Sequence, residues 1–206
     1  MTTDMIDSSD VAVPDTPTSV YDAIYSRRTT HDMTDKEVPR EVLERLLDTA
    51  IWAPNHRLTN PWRFFVLGKG SAARERVAEL AWQVAYDKVA NPNPEQKQRS
   101  ADDSKRRVLD APALIYAYSV PGGDDETTQE NYASVCCAVQ NMALAAVAEG
   151  LVVDWSTGSV TKHPQLAEAF GAGDDWEMVG ALFIGEPANE PVSRRSGTQS
   201  ITSWLD

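Results

Sequence analysis

Apolar positions in this chain switch between two spacings, and the switches mark its elements. Val20, Ala23 and Ile24 share one face of a predicted helix over Ser19–Arg28, where Ser19 and Asp22 form a capping-box pattern. Val42, Leu43, Leu46, Leu47, Ala50 and Ile51 recur at helical spacing through Pro39–Trp52, with Pro39 suited to the first turn. That pattern stops at Pro54, and six mostly polar residues follow. Pro61 and Trp62 then open an apolar run, a predicted strand over Arg63–Leu67 that ends at Gly68-Lys69-Gly70. Ser71–Val89 reads as helix, Asn91-Pro92-Asn93-Pro94 breaks it, and the charged segment Glu95–Asp110 resumes as helix. Ala113–Val120 has the unbroken apolar character of a buried strand. Pro121–Thr127 reads as an acidic loop, and Gln129–Gly150 as a long central helix stopped by Gly150. A short strand over Leu151–Trp155, a turn over Ser156–Ser159, a helix over Pro164–Phe170 and a last strand over Val179–Gly185 complete the pattern.

Helix outweighs strand and the two alternate loosely, which points to a three-layer α/β/α or α+β domain. No repeat and no linker divides residues 18–206, so one domain is expected after an acidic, flexible tail over 1–17. That tail has four aspartates and no Lys or Arg, unlike a secretory signal. The longest apolar run, Ala133–Ala148, is interrupted by Gln140-Asn141 and is too short to span a bilayer. The tail Pro191–Asp206 ends in Ile201-Thr202-Ser203-Trp204-Leu205, apolar enough to dock on another surface.

A length of 206 residues with 42% apolar content supports a sizeable core. The net charge of −12 argues against nucleic-acid binding, which needs a basic face. Cys136 and Cys137 are adjacent. On a helix such neighbours point about 100° apart, so they are read as core packing in a reducing cytoplasm rather than as a disulfide.

Protein-based catalysis has little to stand on. His31, His56 and His163 share no metal-ligand spacing with each other or with the cysteines. Neither a G-x-S-x-G elbow nor a G-x-G-x-x-G turn is present, and Gly68-Lys69-Gly70-Ser71 lacks the first glycine of a phosphate loop. What remains are polar segments set between strong core elements: Arg27–Thr30, Asn55–Asn60, Trp155–Gly158 and the pair Arg194-Arg195. Guanidinium groups with neighbouring hydroxyls suit a phosphate. Each segment also has a plainer reading. Arg27 and Arg28 complement a helix C-terminus, His56 is a solvated loop histidine, and Trp155 is a core or interface aromatic.

In order and spacing these segments resemble the FMN-dependent nitroreductase family, and within it a compact bacterial branch of NAD(P)H nitroreductases. The carriers are Arg27-Arg28-Thr29, Ala53-Pro54-Asn55-His56, Asn60-Pro61-Trp62-Arg63-Phe64, the Ala-rich helix running into Glu149-Gly150-Leu151, Trp155-Ser156-Thr157-Gly158, and Gly180–Pro187. The resemblance implies an α+β three-layer fold, with a central, mainly antiparallel sheet flanked by helices. It also implies an intertwined homodimer with FMN at the subunit interface. By the same resemblance Arg27, Arg28 and Thr29 hold the phosphate and ribityl end. Trp52 and His56 contact the flavin from the same or the partner subunit, and Asn60 reaches the ring edge. Trp155, Ser156 and Thr157 line the isoalloxazine, and Arg194 or Arg195 grips the phosphate. The implied reaction is ping-pong hydride transfer from NAD(P)H through the flavin to a nitroaromatic, quinone or other electrophile. The flavin carries the chemistry, so no catalytic side chain and no metal is expected.

Departures from the family pattern are specific. His31 and Ser156 stand where an Arg is common, Trp52 where the compact branch can carry Arg, and Asn60 where the family has Gln. Lys105, Arg106 and Arg107 either meet the 2′-phosphate of NADPH or form a solvated helix face. Two alternatives stay open: a flavoenzyme of this fold with other chemistry, such as dehydrogenation or dehalogenation, and a flavin-binding protein without turnover.

Overall fold

The computed structural model describes residues 18–88, 93–192 and 194–205; the expected tail over 1–17 lies outside the described residues. Six α-helices and four strands follow in the order α1 (Val20–Ser26), α2 (Arg40–Ala50), β1 (Trp62–Val66), α3 (Ala72–Lys88), α4 (Pro94–Asp110), β2 (Ala113–Ser119), α5 (Asp125–Ala148), β3 (Val152–Ser156), α6 (Pro164–Phe170) and β4 (Glu177–Gly185) among the described residues. Short 3-10 turns cover His56–Leu58, Ser159–Lys162 and Thr198–Ser200.

The strands form one antiparallel sheet in the order β1-β2-β4-β3, so β2 and β4 are central and β3 is an edge. Period-2 alternation sends neighbouring side chains of each strand to opposite faces. Ile115, Ala117, Val153, Leu182 and Ile184 pack under α2 and α5 against Leu46, Ala50, Val135, Ala138 and Met142. Leu114, Tyr116, Tyr118, Ala181 and Phe183 pack on the other face against Val77, Ala78 and Ala81 of α3, Val108 of α4 and Leu166 of α6. The result is the α/β/α layering and antiparallel sheet that the sequence implied. Because β2 is covered on both faces, all seven of its residues are buried, which is why it reads as an unbroken apolar run.

Two local details differ from the sequence reading. The central helix starts at Asp125 rather than Gln129, because Asp124 caps it by accepting the Thr127 amide at 2.7 Å. The acidic run is therefore a helix start, where carboxylates face the positive end of the helix dipole. The backbone and side-chain hydrogen bonds from Thr127 hold the Asp124 carboxyl below its ordinary range. Cys136 packs against the core as expected, but Cys137 is exposed, and both are free thiols. Burial pushes the Cys136 thiol up, away from reactive thiolate character.

Arg74 was not singled out in the sequence, yet it is 1% exposed and ties the α4–β2 junction together. Its Nε donates to the Val108 carbonyl at 2.8 Å, Nη1 to that of Leu67 at 3.4 Å, and Nη2 to that of Ala111. Two of these acceptors lie at the C-terminal end of α4, where helix carbonyls lack intrahelical partners.

Candidate flavin-type site at the sheet edge

The segment after α1 is built by a helix that ends early. Ser19 Oγ accepts the Asp22 amide at 3.1 Å, and the Arg27 amide closes the last turn on the Ala23 carbonyl. Ala23 is the only buried residue of α1, while Val20, Tyr21 and Tyr25 are each about 70% exposed. Arg28 Nη1 donates to the carbonyls of Tyr25 at 2.6 Å and Arg27 at 2.9 Å, as the helix-terminus reading expects. Its Nε is buried and has no partner among the described residues. Neither Arg27 nor Arg28 forms an ion pair with a described carboxylate. Thr29 is exposed beside them, and Thr30 Oγ1 accepts the Asp32 amide at 3.1 Å.

This segment is tied to the edge strand. His31 Nδ1 lies 2.7 Å from Oδ2 of buried Asp154, next to Trp155 on β3. Arg107 donates to the same carboxylate oxygen and lies over the Phe183 ring, 4.5 Å from its centroid. Met33 bridges Pro187, and the Ala188 amide donates to the Asp32 carbonyl at 3.0 Å. The root of the C-terminal tail is thus pinned to Asp32–Thr34, just after Arg27–Thr30. Arg194 and Arg195 are exposed further along that tail, where Arg195 Nη1 donates to the Arg194 carbonyl at 2.9 Å.

The polar gap after α2 is rigidly built, which the sequence did not reveal. Arg57, Leu58 and Asn60 have φ of 61°, 51° and 49°, a left-handed conformation that non-glycine residues seldom adopt. Asn55 holds it: its Oδ1 accepts the Asn60 amide at 2.8 Å, and its Nδ2 donates to Thr59 Oγ1 at 3.0 Å. Thr59 donates on to Asn131 Oδ1 at 2.6 Å, and Asn131 reaches the Val120 carbonyl at 3.0 Å. His56 is not simply solvated, since its Nδ1 lies 2.9 Å from Glu130 Oε2. The chain fixes this strained loop against α5 while leaving Trp52, His56 and Asn60 exposed. Backbone strain of this kind clusters at ligand clamps.

The third segment divides its side chains. The Trp155 indole packs on the α2/α5 side and donates to the Val179 carbonyl at 3.0 Å. A Cβ on Gly180 would stand 2.2 Å from its Nε1, so glycine there is what lets the indole lie flat on β4. Trp155 is therefore a packed aromatic, as its plainer reading held. Ser156 faces the other side of the sheet, toward α3 and α4. Thr157 is exposed above a cleft with Tyr118, Tyr132 and Trp176. In that cleft, burial pushes the Tyr118 phenol up to about 12, so it stays a neutral donor.

Two clusters result. The segment that follows Arg27, Arg28 and Thr29 joins the β3 edge through His31 and the tail root through Asp32 and Met33. Trp52, His56 and Asn60 sit by α2 and α5, and no hydrogen bond or ion pair joins the two clusters among the described residues. The basic run on α4 is not spare charge: Lys105 pairs with Glu79, Arg106 with Asp103 and Arg107 with Asp154. Among the described residues no group of His, Cys, Asp and Glu is arranged to hold a metal, and no helix is long and apolar enough to cross a membrane.

An α/β/α layering with this segment order defines a class, and comparison with known proteins names it. The model of the Nitroreductase family matches residues 24–186. The chain is 30% identical over 166 residues to the "Putative NAD(P)H nitroreductase YdjA" of Escherichia coli (strain K12), spanning 80% of this chain and 86% of that protein. A nitroreductase-like family protein from Bacillus cereus superposes with a TM-score of 0.79 at 26% identity, covering 94% of this chain and all of that one. A structure from Desulfovibrio desulfuricans, solved in complex with FMN, superposes at 0.70 with 23% identity over 93% of this chain and 99% of that chain, and shows the fold alone. This chain belongs to the Nitroreductase family.

Proposed function

We propose that the chain is an FMN-dependent oxidoreductase of the compact bacterial branch, using NAD(P)H to reduce nitroaromatics, quinones or related electrophiles by a ping-pong mechanism. The observation that carries this reading is the pair Arg27–Arg28. In a chain of net charge −12, two adjacent guanidiniums lack a described acidic partner, and one keeps a buried, unpartnered Nε; an exposed Thr29 follows them in sequence. Such donors fit a phosphate, which binds bidentately to guanidinium. FMN in the D. desulfuricans structure and the nitroreductase name of YdjA support the choice of ligand and reaction.

Bound FMN would supply two-electron chemistry, and the protein's part is to bind, orient and shield. Arg27, Arg28 and Thr29 hold the anionic end, with Arg194 or Arg195 closing on it from the tail. Trp155, Ser156 and Thr157 line the ring site from the end of β3, where Trp155 is fixed by Val179 and Gly180 on one face of the sheet and Ser156 lies on the other. Asp154 holds His31 at the same edge of the sheet. Trp52, His56 and Asn60, on their rigid loop, serve the equivalent site of a second copy. The exposed apolar face of α1 and the exposed Ile201, Trp204 and Leu205 of the tail support such a homodimer. Free Cys136 and Cys137 suit the cytoplasm as its compartment.

The test is the purified protein itself. It is expected to be yellow, to bleach on anaerobic NAD(P)H and to recover colour with a nitroaromatic. A flavin-loaded protein that bleaches but turns over no nitroaromatic or quinone would favour other chemistry on this fold. One that fails to bleach would be a flavin binder without turnover.

A further inference from the structure

Among the described residues, the hydrogen bonds of residues 28–30 stay within three positions in sequence. Arg28 donates to the carbonyls of Tyr25 and Arg27, and Thr30 Oγ1 accepts the Asp32 amide. His31 is the first residue of this segment to reach a distant element, meeting Asp154 of β3, 123 residues further on. A carboxylate oxygen accepts, so the proton between them sits on Nδ1 of the imidazole. Arg107 of α4 donates to the same oxygen, and its Nη2 lies 3.3 Å from His31 Nδ1. Two groups from two segments thus converge on one oxygen atom of a third.

Burial across this cluster is lopsided. The Asp154 side chain is 3% exposed and that of His31 70%. Asp154 pairs with Phe183 of β4, and the Arg107 guanidinium lies over the Phe183 ring. The Arg107–Asp154 unit is therefore fixed to the sheet, and His31 reaches it from outside. A buried carboxylate is costly unless paired, and an apolar residue would close a sheet edge at less cost. What the charge adds is direction: it holds an imidazole N–H at a set distance and angle, which an apolar contact does not. Beyond His31 the backbone is held already, since the Ala188 amide donates to the Asp32 carbonyl at 3.0 Å and the Thr34 amide to that of Glu186 at 2.9 Å. Arg27, Arg28 and Thr29 lie in the span between α1 and this anchor.

We propose that Asp154, braced by Arg107, is a positioning residue: through His31 it orders the Arg27–Thr29 segment, so that its donors are pre-set for a phosphate. This rests on the flavin reading above. Asp154 acts through His31 and touches no ligand. Ordering a segment in advance lowers the cost of binding, so losing the anchor weakens the phosphate contact and spares the contacts to the rest of a flavin.

A double-mutant cycle in the full chain tests it, with Asp154→Asn and His31→Ala made singly and together. The readouts are FMN and riboflavin affinity, by fluorescence quenching, and amide hydrogen exchange at residues 27–31 in the flavin-free protein. Each single change is expected to lower the preference for FMN over riboflavin about tenfold, with riboflavin affinity unchanged. The double change is expected to lower it no further, and exchange at residues 27–31 should quicken in all three proteins. A preference that survives Asp154→Asn would overturn the proposal even if melting falls, since a purely structural ion pair behaves that way. Losses that add in the double variant would also overturn it, by giving the two residues independent roles. Unchanged exchange in the single variants would overturn the ordering step without reference to flavin. His31→Ala, at an exposed side chain, keeps that exchange test in hand should the buried change prevent folding. A parent protein that binds neither flavin, but whose exchange still quickens on substitution, would support the anchor while refuting the flavin reading.

Discussion

Arg74 and Arg28 occupy opposite kinds of environment in one small protein. Arg74 is sealed at the α4–β2 junction, and each of its side-chain nitrogens meets a backbone carbonyl. Arg28 sits at the end of an exposed helix, meets two carbonyls through one nitrogen, and keeps a buried Nε unmatched. Both are cations drawn partly out of water, but only the first has its donors answered by the fold. Burial lowers the Arg74 pKa, and the negative charges of Glu37 and Asp110 act against that shift. The contrast is one of donor sets: that of Arg74 is closed by the chain and holds the fold, and that of Arg28 is left open, which is what the proposed phosphate contact uses.

Substitution can break that contrast from both sides. Arg74→Met should be the costliest single change, since it removes three hydrogen bonds and orphans buried carbonyls. We expect a loss of about 3 kcal/mol. That corresponds to a melting temperature roughly 6–12 °C lower, read by circular dichroism. Flavin affinity at low temperature should be unchanged. The double change Arg27→Ala with Arg28→Ala should do the reverse. FMN affinity, followed by fluorescence quenching, is expected to fall about 100-fold, as two charge-assisted hydrogen bonds are lost. Melting of the flavin-free protein should barely move.

The Arg45–Glu149 pair joins α2 to the residue after α5, with bidentate contacts of 2.7 and 2.8 Å. The hydrogen bonds from Arg45 hold the Glu149 carboxyl below its usual range. A carboxylate depressed in the folded state contributes stability above its unfolded pKa of about 4.3, and that stability is lost as pH falls through the folded value. Glu149→Gln should therefore lower the melting temperature at pH 7, and the gap from the parent should close in acid below about pH 4. A gap that stays constant with pH would assign the effect to packing. The smallest effect belongs to the strained loop: His56→Ala loses the Glu130 contact and is expected to weaken FMN only a few-fold, with little change in melting.

Much of this was legible from residue spacing. Periodicity located all six helices and four strands among the described residues, because burial on one or two faces leaves a direct trace in the order of apolar residues. Boundaries failed where side-chain capping decides them. Asp124 starts α5 earlier than apolar spacing suggests, since the first turn is acidic and solvated. Arg74 was invisible because a charged residue on a helix reads as surface until its acceptors, which come from other elements, are in place. The polar segments at Arg27 and Asn55 could be found as gaps between core runs. Their construction could not, because the left-handed φ values at Arg57, Leu58 and Asn60 depend on Asn55 and on α5, 70 or more residues away in sequence at Asn131. The opposite facing of Trp155 and Ser156 follows from strand alternation, once Ser156 is known to lie in β3 rather than in the turn.

The central claim is that Arg27 and Arg28 are held open for a phosphate. Comparing FMN with riboflavin, which lacks that phosphate, tests it most directly. In parallel fluorescence titrations the parent protein should bind FMN about 100-fold more tightly than riboflavin, and the Arg27→Ala, Arg28→Ala protein should bind the two alike. Equal affinities in the parent, or a preference for FMN that survives the double substitution, would contradict it.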